Sequence, residues 1–150
     1  MRRPLINCLA GLAFMVGAAA AHANASADKW LEQGDSQWRQ GHTDQAMKSY
    51  EAAEKSEPNS SRILMKKAGL YLATQNFDSA IRTYQSVIGA EPGNAVAFIG
   101  MGIAYLHGGD NDLARAAFEE ALRLEPKRKA QLAPVLASLD EQANRRVSPH

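Results

Sequence analysis

The residues that could do chemistry are few and scattered. Of the four histidines, His42, His107 and His150 stand alone, and His22 lies in an N-terminal apolar segment. No two of them stand four apart beside a glutamate, the helical arrangement that holds zinc and activates its water. Gly100-Met101-Gly102 starts like a glycine fingerprint for phosphates, but it lacks a third glycine and a preceding strand, so close helix packing is its better reading. Asp110-Asn111-Asp112 offers oxygen ligands of the kind calcium takes, yet no bidentate glutamate follows at loop spacing, and turn and cap chemistry accounts for it. No nucleophile lies beside a base, so the pattern predicts a chain that is not an enzyme and that holds no metal or cofactor.

The elements around these residues begin with an address label. Met1-Arg2-Arg3 is a positive start, Leu9 to Ala21 is uncharged and apolar, and Ala21-His22-Ala23 is the small-x-small pattern of a signal peptidase site. This predicts a signal peptide over 1–23, cleaved after Ala23, and a periplasmic or secreted mature chain. The alternative is an uncleaved anchor, for which the apolar run is short of the roughly 20 residues that a spanning helix needs. Cleavage removes Cys8, so an exported domain must be held by its core without disulfides. It also takes Arg2 and Arg3 from the 17 basic side chains, leaving 15 against 16 acidic ones. That balance gives no bulk attraction to nucleic acid or to anionic lipid. Lys127-Arg128-Lys129 with Arg123 is the one local basic cluster, and reads as solvated turn charge.

The rest of the chain repeats itself. Ala46, Ala80 and Ala114 are 34 residues apart, as are Tyr50, Tyr84 and Phe118, and as are Glu57-Pro58, Glu91-Pro92 and Glu125-Pro126. A strict period with one residue class at each echo means a supersecondary unit stacked on copies of itself. Within each period apolar residues recur at three and four, with Gly, Asn or Asp midway, so each unit is two helices and a turn. The predicted helices run 27–40 and on to about 55, 61–74 and on to about 90, and 95–107 and on to about 124. Asp44, Asp78 and Asp112 open the second helix of each unit, where a carboxylate complements unpaired N–H groups. Pro58, Pro92 and Pro126 end each unit. Lys129 to Arg146 reads as a capping helix with Leu132, Leu136, Leu139 and Ala143 on one stripe, with Pro134 either kinking it or marking its start, and 147–150 as a tail.

This pattern resembles the tetratricopeptide repeat, with units at 27–60, 61–94 and 95–128. The third unit carries Phe98, Met101, Gly102, Tyr105, Gly109, Ala114, Phe118, Ala121 and Pro126 at the signature positions. The first has Gln37 where an aromatic is usual, and the second has Val87 for a small residue and no glycine at the end of its first helix. The resemblance implies an all-α solenoid of three helix-turn-helix units, a domain over 24–146, and a scaffold that binds rather than reacts.

The residues from Ala95 to Leu106 contain no charge, whereas a half-exposed helix normally shows a polar remainder beside its apolar stripe. One line of this helix, Phe98, Gly102 and Tyr105, serves the stack; the neighbouring line is Ile99, Ile103 and Leu106. By the resemblance, this second line faces a concave groove, together with Leu31, Asp35 and Trp38, then Met65, Gly69 and Leu72, and with His107 at its end. Such a groove is covered by a partner peptide or amphipathic helix, by a second copy in a homodimer, or by the chain itself. The family's clamp for C-terminal carboxylates needs Lys, Asn and Arg, but Leu31, Asp35, Lys66, Val96 and Gly100 stand at the matching positions. The expectation is a partner protein of another kind, bound during assembly of a cell-envelope complex, with self-association as the alternative.

Overall fold

The structure is a computed structural model that describes residues 10–147, with side chains over 25–145. Among the described residues there are seven α-helices and no strand. They are α1 (Ala10–Arg39), α2 (Thr43–Ser56), α3 (Ser61–Ala73), α4 (Phe77–Ala90), α5 (Ala95–Gly108), α6 (Asn111–Leu124) and α7 (Lys129–Val147), with a 3-10 turn at Pro126–Arg128 before α7. None of the described helices is long and apolar enough to cross a membrane. The chain divides at Ser60/Ser61 into two compact units, the first holding the first repeat and the second holding the other two and α7.

The turns copy one another because the backbone demand recurs every 34 residues. Glu57, Glu91 and Glu125 end α2, α4 and α6 with φ of −137°, −131° and −131° and ψ of 79°, 78° and 82°. Each precedes a proline, whose ring pushes the residue before it out of the helical region. Gly41, Gln75 and Gly109 all take a positive φ, of 82°, 60° and 92°. The second repeat therefore has no glycine there but keeps the left-handed turn, and Gln75 bears the steric cost that its Cβ brings. The residues that precede the second helices are His42, Asn76 and Asp110, of which Asn76 accepts a hydrogen bond from the Ser79 amide at 3.3 Å. Asp44, Asp78 and Asp112 lie in the first turns, where the dipole favours them.

Two expected boundaries differ. α1 has no start at Ala27, because the alanine-rich stretch before it has high helix propensity and nothing breaks it. The signal-peptide residues 1–9 and the tail residues 148–150 lie outside the described part, and 10–23 form the beginning of α1. Pro134 neither starts nor stops α7, which runs through it; the proline is solvent-exposed in the second turn.

Packing within each unit rests on rings laid against glycines. In the first unit, a Cβ on Gly34 would stand 2.5 Å from Tyr50 Cε1, so only glycine lets α1 meet α2 this closely. In the second unit α5 receives two rings. A Cβ on Gly100 would be 2.2 Å from Tyr84 Cζ of α4, and one on Gly102 would be 2.7 Å from Phe118 Cε1 of α6. Gly100-Met101-Gly102 is thus a packing device, as its sequence context implied. Leu132 and Leu139 of α7 are buried in one cluster with Phe118, Ala114 and Ala121. Around this apolar seam, Arg115 pairs with Asp140, and the Asn111 amide donates to Gln142 Oε1 at 2.8 Å, tying α7 to α6.

Candidate functional site

In the first unit, Leu31, Asp35 and Trp38 lie at i, i+4 and i+7 of α1, one helical face. Leu31 is 6% exposed and offers little surface, while Asp35 and Trp38 are half-buried. Asp35 Oδ1 accepts a hydrogen bond of 2.6 Å from the Tyr50 hydroxyl. Burial foremost, then that hydrogen bond and the carboxylate charge, push the Tyr50 phenol well above its usual range, against a small opposing effect of Arg39. Two residues further, Gln37 Oε1 accepts from the Ser49 hydroxyl at 2.7 Å, so the residue that departs from the repeat pattern satisfies an otherwise buried polar partner.

In the second unit, Met65 and Leu72 of α3 are half-buried and pack on the cluster around Tyr84, Ala68 and Val87. On α5, Ile99 is 8% exposed and belongs to the core with Phe118, whereas Ile103 and Leu106 are half-buried beside the same cluster. His107 is exposed. Val96, one turn before Ile99, is 45% exposed, high for an aliphatic side chain. The outward face of α5 therefore runs Val96, Ile103, Leu106 and His107 without a charge, over a base formed by Ile99.

The end of this face is concave. Leu72, Ala73, Gln75, Phe77 and His107 line a cavity of about 400 Å³. Two of these lie on the predicted line, and the other three were not singled out by sequence. The signal was present at Phe77: an aromatic stands where the other repeats have Thr43 and Asn111. The Phe77 and His107 rings stack with centroids 5.7 Å apart and planes 14° from parallel. The left-handed Gln75 turns its segment at the rim.

Other candidate groups do not gather. Among the described residues no three of His, Cys, Asp and Glu come together as metal ligands. Asp110-Asn111-Asp112 opens α6, its Asn111 bonded to Gln142. Within the basic cluster, Arg128 and Lys127 bind Glu125 at 2.9 and 3.5 Å, and Arg123 binds Glu120 at 2.6 Å. Those arginines hold Glu120 and Glu125 below the ordinary carboxylate range.

Comparison with known proteins agrees with this architecture. Tetratricopeptide-repeat family profiles match residues 31–95 and 76–139. Over 101 residues, 67% of this chain, the sequence is 29% identical to protein bimA of Emericella nidulans; the match spans only 12% of that protein's length. Among solved structures, the first TPR of Spaghetti (RPAP3) bound to the HSP90 peptide SRMEEVD aligns with a TM-score of 0.74 at 19% identity, covering 81% of this chain and 95% of that one. The Arabidopsis OM64 TPR domain aligns with a TM-score of 0.71 at 21% identity, covering 79% and 98%.

Proposed function

The chain belongs to the tetratricopeptide-repeat family, and on that premise we propose that it is a non-catalytic protein–protein interaction module that holds a segment of a partner protein during assembly of a cell-envelope complex. The observation that carries this reading is the uncharged outward face of α5, with Val96 45% exposed and Ile103, Leu106 and His107 beside it. A single exposed apolar side chain is ordinary, but a contiguous uncharged face of a helix is accounted for when another chain covers it. The envelope setting rests on the signal-peptide pattern of residues 1–23.

The peptide-bound neighbour supports a linear partner segment, but not the same one. Its peptide is SRMEEVD, whereas the clamp positions here hold Leu31, Asp35, Lys66, Val96 and Gly100, one cation where the clamp needs Lys, Asn and Arg together. At Gly100 no long cation can stand, because the Tyr84 ring fills the space a Cβ would take. The partner therefore engages apolar contacts rather than a carboxylate clamp, with an affinity near micromolar, about 8 kcal/mol.

A photo-crosslinking amino acid at Val96 tests this. The expected result is a covalent adduct with one envelope protein in cells producing the full chain. An adduct only with a second copy replaces the adaptor reading by self-association, and no adduct of either kind sinks the module reading.

A further inference from the structure

We infer that the cavity lined by Leu72, Ala73, Gln75, Phe77 and His107 seats the side chain of an arginine carried by the partner segment. This rests on the interaction-module reading and gives the partner a chemistry. The cavity, at about 400 Å³, is within the range of sites that take a small chemical group. It is bounded by two different surfaces. Leu72 and Ala73 are apolar and suit a methylene stem. Phe77 and His107 form a flat double layer, their rings stacked at 5.7 Å, and a planar guanidinium stacks on such a layer as no aliphatic group can. Gln75 lines the rim, and its side-chain amide is able to present a carbonyl oxygen as an acceptor for guanidinium N–H groups.

Charge selects the same occupant. α3 and α5 finish where α4 and α6 begin, so helix dipoles of both senses meet at these turns and largely offset. The side chains then decide the field. The stretches 68–81 and 95–114, which supply every lining residue, contain Asp78, Asp110 and Asp112 and no lysine or arginine. All three carboxylates are exposed. Lys67, Arg82 and Arg115 flank these stretches, Arg82 bonded to Ser79 and Arg115 to Asp140; a cation entering between the turns is attracted by the three carboxylates, whereas an acidic tip is repelled. Arginine satisfies the apolar wall, the ring layer, the acceptor and the field together; a tyrosine, whose hydroxyl can donate to the acceptor, lacks the charge, and a leucine satisfies only the first.

The test is an NMR titration of the full mature chain with N-acetyl-arginine amide, beside the N-acetyl amides of leucine and tyrosine. The arginine derivative is expected to shift the backbone amides of 72–77 and 106–109 with a dissociation constant on the order of millimolar, as befits so small a ligand. The other two are expected to bind at least about fivefold more weakly, and high salt to narrow the difference. His107 is exposed, so His107→Ala leaves the fold intact and is expected to weaken arginine binding about threefold or more. Equal shifts from leucine or tyrosine, arginine shifts elsewhere, or an unaffected His107→Ala variant overturn the inference. A Val96 adduct with no preference for arginine sinks the pocket and leaves the module reading standing; arginine preference without an adduct does the reverse.

Discussion

The α1/α2 pair and the α5/α6 pair lay an aromatic ring on a glycine at the same point of the period, yet surround it with opposite chemistry. In the first, Tyr50 lies on Gly34 and its hydroxyl is held by Asp35, with Ser49 bonded to Gln37 beside it. In the third repeat the same four positions are Phe118, Ile103, Ala117 and Tyr105, none of them charged, and Phe118 lies on Gly102. The repeat thus demands a shape, a ring against a missing side chain, and leaves polarity free. Where polarity is used, directional bonds fix the helix pair. Where it is not, an apolar surface remains on α5.

The comparison can be broken at the rings first. Phe118→Ala removes a fully buried ring and is expected to cost about 3–5 kcal/mol in chemical denaturation. If the loss is under about 1 kcal/mol, α6 is not held by that ring. Next, Gly34→Ala and Gly102→Ala put a methyl 2.5 and 2.7 Å from a ring carbon, and each is expected to cost about 1–3 kcal/mol despite alanine's better helix propensity. A loss at one site alone shows that the two pairs do not share the device.

The polar chemistry separates the pairs more finely. Tyr50→Phe keeps the ring and removes its bond to a carboxylate, with an expected loss of about 1.5 kcal/mol at neutral pH; the matching change Phe118→Tyr has no carboxylate to gain. Because burial and Asp35 raise the Tyr50 pKa, the folded state holds its proton more tightly than the unfolded chain. That contribution is fully present below the ordinary tyrosine value of about 10 and is lost as pH rises beyond it. Thermal melts across this range are expected to fall in the parent and to fall less in Tyr50→Phe. Some slope remains through Tyr84, which burial also raises. The smallest effect is expected at Gln75→Gly, which relieves a φ of +60° and is predicted to stabilise by about 0.5–1 kcal/mol. No gain means that the turn is unstrained.

Much of this was legible in the residues. The 34-residue spacing carried the helix pairs, their turns and the packing role of Gly102, which echoes Gly34 and Ala68, because a periodic backbone needs the same residue class at each return. Gln75 stands in register with Gly41 and Gly109, but its side chain disguised the shared left-handed conformation, which only the backbone revealed. The start of α1 was not legible, since the alanine-rich stretch before Ala27 continues the helix instead of ending it. Among the candidate site residues, spacing placed Ile99, Ile103 and Leu106 on one line without distinguishing buried Ile99 from its half-exposed companions.

The sequence by itself determined the repeat, its period, the family and the absence of charge along α5, since each is a property of residue type and order. Only the tertiary structure decided what is open to a partner. Exposure depends on which neighbouring ring or helix lies over a residue, so it took the folded chain to bury Leu31 and Ile99, to leave Val96 outward, and to bring Phe77 from one repeat against His107 of the next.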